Sequence, residues 1–268
     1  MADDPIYGNK DVFEQGGVGV VATLALAAQQ LNVPLEVQGA IAMVGSFIGV
    51  GLGRSVYRAA TRRYPAFAAG FLKAADPDPV KAGEKVKAIA DQGVTESLDD
   101  IMMRSFRSMM DAVDDEVIPV LGYMAAHYTF QGRKADVFFR GMGRLLCEFE
   151  PGEFAEFTNI MKVACSNATA RQMISAEVDQ NGRLWVMEQN SSGHLFLNDV
   201  KYALRLFALM KREHFGTSTQ TGAPRLGTLP GPEPTIQFFS GTALQILELV
   251  APNDYAEWVK RHGDAAAP

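Results

Sequence analysis

Residues 15–53, QGGVGVVATLALAAQQLNVPLEVQGAIAMVGSFIGVGLG, form a long apolar stretch near the start of this chain of 268 residues. No charged residue occurs in the 21 positions between Glu14 and Glu36, or in the 17 positions between Glu36 and Arg54. The stretch breaks at Asn32-Val33-Pro34, and a proline is well placed in the first turn of a new helix. The pattern therefore predicts a Gly-rich helical hairpin with a polar tip.

The second arm of this hairpin carries glycines at a regular helical spacing. Gly45, Gly49 and Gly53 lie at positions i, i+4 and i+8, which makes two consecutive GxxxG units on one helix face. Each interior glycine costs a water-exposed helix about 1 kcal/mol relative to alanine. Such a run is typical of a helix that another backbone approaches closely, as in membrane helix pairs. The spacing predicts that these three glycines form a helix-pairing surface.

A basic group follows the hairpin directly, at Arg54, Arg58, Arg62 and Arg63. Cationic residues beside an apolar helix are expected at the cytoplasmic face of a membrane. The two arms would be about 31 and 26 Å long, close to a hydrocarbon core of about 30 Å. Neither arm reaches 18 clean apolar residues, however, and shorter runs are typical of buried core helices. Three interpretations stay open: a hairpin associated with a lipid membrane, a surface that forms a homo-oligomer, and a simple core.

The composition excludes several classes of protein. Hydrophobic residues make up 47% of the chain, which excludes a wholly disordered chain. The net charge of −6 argues against a generally basic nucleic-acid coat. Cys147 and Cys165 are too few for a disulfide framework and lack metal-ligand spacing. The acidic N-terminus does not resemble a secretory signal, so we expect a location in the cytoplasm or on the cytoplasmic face of a membrane.

No catalytic motif is present in the sequence. We find no GxxxxGK[ST] phosphate loop, no HExxH, no GxSxG and no CxxC. Asp114, Asp115 and Glu116 are explained by capping and first-turn charge of the helix that follows them. We therefore predict a protein that is not an enzyme and that has no catalytic residues, no metal site and no cofactor.

The chain is expected to be mainly α-helical and to have three parts. Asp76-Pro77-Asp78-Pro79 marks the first boundary, because two prolines in four residues stop a helix. Amphipathic and apolar patterns then predict consecutive helices with short connections, which is typical of a bundle. The predicted parts are the hairpin with its basic end (1–75), an acidic helical bundle (76–165), and a small α+β module with a long loop at 214–234 (166–268).

The C-terminal module is predicted to contain short strands as well as helices. Residues 183–188 and 194–197 form a β-hairpin, and residues 235–239 add a third strand. A helix covers residues 200–211, and Ser240 caps another helix. Over residues 160–251 this mixture resembles winged-helix domains in its architecture, although the long helix follows the hairpin where a recognition helix would precede its wing.

One local basic cluster lies in this module, at Lys201, Arg205, Lys211 and Arg212. The cluster is a possible contact for nucleic acid or for a protein partner. Residues 158–251 carry a net charge of only +1, whereas a DNA-binding module shows a basic stripe, so nucleic acid is the less favoured partner. Our leading hypothesis is a non-enzymatic protein, membrane-associated or self-assembling, that acts as a membrane-perturbing effector or a membrane-tethered adaptor. The alternative is a soluble oligomeric regulator that binds nucleic acid or protein through a winged-helix-like C-terminal module.

Overall fold

The computed structural model describes residues 54–91, 96–166, 172–179, 183–188, 194–197, 200–217 and 235–262. The predicted hairpin, with Gly45, Gly49 and Gly53, lies outside these residues. The described chain is mostly helical and includes one small antiparallel sheet, which confirms the predicted mainly α class. It divides into two compact units, Met1–Glu148 and Phe149–Pro268.

The first unit consists of helices packed around a central one. They are α1 (Arg54–Ala75), α2 (Pro79–Asp91), α3 (Glu96–Asp111), a 3-10 turn (Asp115–Val117), α4 (Ile118–Phe130) and α5 (Val137–Cys147). Helix α4 is the central element, because it is buried along most of its length and contacts α1, α3 and α5. The core around it includes Phe67, Met109, Leu121, Phe139 and Leu145.

Helices α1 and α4 approach each other closely enough for their backbones to touch. A methyl group added at Gly70 of α1 would lie 1.8 Å from the carbonyl oxygen of Pro119. One added at Gly122 of α4 would lie 2.0 Å from the carbonyl oxygen of Phe67. Glycine is therefore required on both sides of this contact, which is the most extensive helix pairing in the unit.

Among the described residues, the second unit combines four helices with a four-stranded sheet. Its elements are α6 (Glu153–Cys165), β1 (Met173–Val178), β2 (Leu184–Glu188), β3 (His194–Leu197), α7 (Ala203–Arg212), β4 (Thr235–Phe239), α8 (Ser240–Val250) and α9 (Pro252–His262). The strand order is β3-β2-β1-β4, and all neighbours are antiparallel. One face of the sheet is buried in the core of the unit, through Ile174, Ala176, Val178, Leu184, Val186, Ile236 and Phe238.

The three predicted strands are confirmed, but the strand between them was not predicted. Strand β1 pairs with both β2 and β4, so it joins the predicted hairpin to the predicted third strand. The hairpin is therefore the outer half of a four-stranded sheet rather than a separate wing.

The sequence predicts Ser240 as the N-cap of helix α8, whereas in the structure Ser240 is the first residue of that helix. Its backbone nitrogen donates to the carbonyl oxygen of Gln172 (2.9 Å), and its hydroxyl accepts from the backbone nitrogen of Gln172 (3.0 Å). The N-cap position is Phe239, which makes no side-chain cap hydrogen bond. The predicted cap therefore lies one residue from the observed N-cap position, and the Ser240 hydroxyl, which is fully buried, bonds the residue before β1.

Two helices have neighbours that differ from the three-part division of the sequence. Helix α1 was assigned to the hairpin part, yet it packs on α4. Helix α6 was assigned to the central bundle, yet it contacts α7, α8 and β3 in the second unit. The division into three parts stays a prediction, because the hairpin lies outside the described residues.

Substitution of Gly70 by alanine should destabilise the first unit by about 3 kcal/mol, because the new methyl group meets a backbone carbonyl that cannot move aside. This exceeds the gain of about 1 kcal/mol in helix propensity. Gly143→Ala is the matched control, because its methyl group would meet the Ser108 hydroxyl oxygen at 2.9 Å, and a side chain can rotate away.

Urea unfolding followed by circular dichroism checks this prediction. Both tryptophans, Trp185 and Trp258, lie in the second unit, so their fluorescence serves as an internal monitor of that unit. An unchanged dichroism midpoint in Gly70→Ala would contradict the close-contact interpretation.

Candidate functional site

The arginines at the basic end of the predicted hairpin lie on α1, and two of them meet an aspartate in the structure. Arg62 Nη2 lies 2.9 Å from Asp115 Oδ2, and Arg63 Nε lies 2.9 Å from Asp115 Oδ1. One carboxylate therefore binds two neighbouring guanidinium groups. Arg54 and Arg58 lie in the first two turns of α1 as described.

Arg63 has a further role in the first unit. Its Nη1 donates to the carbonyl oxygens of Met109 and Met110, both at 3.0 Å. These carbonyls belong to the last turn of α3, where helix carbonyls have no partner within the helix. Arg63 thus joins α1 to the end of α3 and to Asp115, and its side chain is only 19% exposed.

Asp115 stands beside the residue that caps the same turn. Asp114 Oδ1 accepts from the backbone nitrogen of Glu116 at 3.0 Å, which confirms the predicted capping. Asp115 opens the 3-10 turn before α4, and its carboxylate is free of the cap. Asp114, Asp115 and Glu116 are all explained in the sequence by capping and first-turn charge, so the ion pairs of Asp115 are not predicted.

The predicted basic cluster of the second unit is interleaved with carboxylates. Arg205 pairs through Nη1 with Glu153 and lies 3.5 Å through Nη2 from Glu150 Oε1. Arg212 Nε lies 2.9 Å from Glu213 Oε1. Two of the four cations are therefore already paired within the unit.

Two carboxylates of α6 position the start of α7. Glu156 accepts from the backbone nitrogens of Lys201 and Tyr202, both at 2.8 Å. Glu153 is fully buried, and its Oε2 also accepts from the backbone nitrogen of Glu150 at 2.8 Å. A nucleic-acid site needs cations that are available to phosphates, and of the four predicted contact residues Lys201, Arg205, Lys211 and Arg212, the two arginines are paired with carboxylates.

The thiols are shielded from reaction. Burial raises the pKa of Cys147 to about 11 and that of Cys165 to about 12. Both thiols are therefore protonated at neutral pH, and the thiolate is the reactive form. Burial, together with the charge of Arg133, lowers the pKa of His127 and so favours its neutral form.

The described part of the chain contains neither a metal-binding cluster nor a membrane-spanning helix. No group of three or more His, Cys, Asp or Glu residues there is arranged to hold a metal ion. No helix within those residues is both long and apolar enough to cross a membrane.

Comparisons of the chain with protein-family models, with curated proteins and with solved structures find no match.

Replacement of Arg205 by methionine should destabilise the second unit by about 2–3 kcal/mol. The change leaves the fully buried carboxylate of Glu153 without its cation, and breaking a buried pair from one side costs several kcal/mol. The expected loss of stability is smaller than for a pair in which both partners are buried, because the Arg205 side chain is 40% exposed. Lys201→Met removes the same charge from an exposed position and should change stability by no more than about 0.5 kcal/mol.

Tryptophan fluorescence during urea unfolding measures this difference, because Trp185 and Trp258 both lie in the second unit. Equal midpoints for the Arg205 and Lys201 variants would show that the Arg205–Glu153 pair contributes nothing to stability.

Proposed function

We propose that this chain is a non-enzymatic protein that associates with a membrane through residues 15–53 and presents its helical units to a protein partner, as a tethered adaptor or a membrane-perturbing effector does. The observation that carries the proposal is the pair of charge-free stretches, 21 and 17 positions long, which only Glu36 separates. The second stretch ends at Arg54, the first residue of α1 in the described structure. An apolar segment of this length with an arginine-rich end is typical of membrane attachment at the cytoplasmic face.

The way α1 is held supports this proposal. Gly70 packs against the backbone of α4, and Arg63 bonds the end of α3 and Asp115. A segment that ends at Arg54 would therefore be coupled to a well-packed helical unit rather than to a loose linker.

The second unit offers surface for a protein partner. Leu204 on α7 is 52% exposed, and Phe239 at the end of β4 is 63% exposed. Exposed large apolar side chains are a feature of protein contacts, although single ones also occur on ordinary surfaces. We assign the partner-binding part of the proposal to this unit, and a winged-helix-like mode of binding belongs to the alternative regulator.

Arginine in the middle of each predicted arm should release the full-length protein from membranes. Leu24→Arg and Val44→Arg together add about 3 kcal/mol per arm to the insertion free energy, which lowers the partition about a hundredfold for each. Leu204→Arg is the control, because it places the same residue on the exposed surface of α7.

Flotation with phosphatidylcholine vesicles, followed by an alkaline wash, measures the bound fraction. Wild type and Leu204→Arg should float, whereas the double variant should stay at the bottom of the gradient. A wild-type chain that never floats would end the membrane proposal. A deletion control should start at residue 54 and not at residue 76, because α1 supplies Phe67 and Phe71 to the core.

If the hairpin instead pairs copies of the chain, the glycine face must be the contact. Gly49→Leu would then separate the helices and convert the oligomer into a monomer, because leucine prevents close backbone approach. Light scattering coupled to size exclusion, in detergent and in buffer, gives the mass. The same mass for wild type and Gly49→Leu would exclude Gly45, Gly49 and Gly53 as a pairing surface.

A further inference from the structure

We propose that Asp115 competes with anionic lipid headgroups for Arg62. Its carboxylate holds the Arg62 guanidinium at 2.9 Å in an exposed ion pair, and a headgroup of the membrane surface takes its place on binding. The inference rests on the proposed function, because it describes how the basic end of the apolar segment meets a membrane. It adds two statements to the proposed function: the chain prefers membranes that contain anionic lipid, and Asp115 weakens this preference.

The two arginines that share Asp115 differ in how firmly they are held. Arg63 is 19% exposed and also bonds two carbonyls of α3, so it has a fixed structural role. The side chain of Arg62 is 80% exposed, and Asp115 is the partner that the structure gives it. An ion pair this exposed contributes little to stability in water, so Arg62 can exchange its partner without loosening α1.

The chemistry of the pair fits an anionic headgroup. A guanidinium group binds a carboxylate or a phosphate with the same planar fork of N–H donors. The serine carboxylate and the phosphate of phosphatidylserine are both acceptors of this kind, so either can replace the Asp115 oxygen on Arg62.

The position of Arg62 favours a membrane as the source of that anion. Arg54, Arg58 and Arg62 follow each other at intervals of four residues in the sequence of α1. The apolar segment ends immediately before Arg54. A membrane that binds this segment therefore brings anionic headgroups close to the arginine-rich sequence that follows it, where each arginine adds to the attraction.

When Arg62 leaves Asp115, water and Arg63 still stabilise the charge of the carboxylate. Its side chain is 46% exposed to water, and Arg63 Nε still lies 2.9 Å from Oδ1. The exchange therefore costs the first unit neither a buried charge nor its link between α1 and the end of α3.

The test compares Asp115→Asn with Asp100→Asn in the full-length chain. Asp100 Oδ1 pairs with Arg104 Nε at 2.7 Å, and both side chains are about as exposed as that of Asp115. Both variants therefore change the net charge equally, but only Asp115→Asn releases Arg62. Arg63 also loses its ion pair in Asp115→Asn, and its two bonds to carbonyl oxygens of α3 still hold it in place. Vesicles of phosphatidylcholine alone, and the same vesicles with about one third phosphatidylserine, are pelleted with each protein.

Asp115→Asn should raise binding to the phosphatidylserine vesicles about fivefold, the effect of about 1 kcal/mol for one additional arginine at the surface. Binding to phosphatidylcholine alone should not change. Arg62→Gln should lower binding to phosphatidylserine below the wild-type value, and it leaves the bonds of Arg63 intact. This second variant keeps the test decisive even where Asp115→Asn weakens the turn before α4.

Equal gains in Asp115→Asn and Asp100→Asn would reduce the effect to net charge and overturn the inference, as would an Arg62→Gln variant that binds like wild type. The proposed function fails differently. A wild-type chain that does not float with phosphatidylcholine vesicles after the alkaline wash would refute insertion of residues 15–53. In that case, stronger binding of Asp115→Asn alone to phosphatidylserine vesicles would still support the exchange at Arg62.

Discussion

The backbone contact between α1 and α4 is the constraint on which the rest of the first unit depends. Gly70 and Gly122 allow the backbone of each helix to lie against carbonyl groups of the other. A side chain at either position would increase the distance between the two helices. Because α1 is held this close, the side chain of Arg63 reaches the last turn of α3 and the Asp115 carboxylate. The polar link between α1, α3 and the turn before α4 thus depends on a close backbone contact that two glycines allow.

Strand β1 has the corresponding role in the second unit, and it shows where sequence reasoning stops. Strands β2, β3 and β4 are rich in aromatic and branched residues and were predicted, whereas MISAEV in β1 contains Met, Ala and Glu, which favour helices. Its alternating burial is clear only in the structure, where Ile174, Ala176 and Val178 face the core. Pairing with two neighbouring strands outweighs the weak helix propensity of these residues. Local propensity is what can be taken from the sequence, whereas the pairing depends on distant residues.

The same limit explains the candidate site. Capping by Asp114 was predictable because its partner lies two residues away. Asp115 and Arg62 are 53 positions apart, and Arg205 and Glu153 are 52 apart, so their pairing depends on how helices pack. Sequence reasoning therefore identified which residues carry charge, but it could not tell which of these charges are neutralised inside the fold. The fully buried Glu153 gave no local sign of its position, since it follows Pro151-Gly152 as a first-turn acid would.

Burial of the anion, more than the presence of a salt bridge, decides whether an arginine is available to an external ligand. Arg205 and Arg62 both pair with carboxylates, and both were predicted to contact partners from the sequence. Glu153 lies in the core, so the departure of Arg205 would leave a charge that water cannot solvate. Asp115 is almost half exposed, so water and Arg63 stabilise its charge when Arg62 turns away. Of these two arginines, Arg62 is therefore the one that can leave its carboxylate partner and bind an external anion.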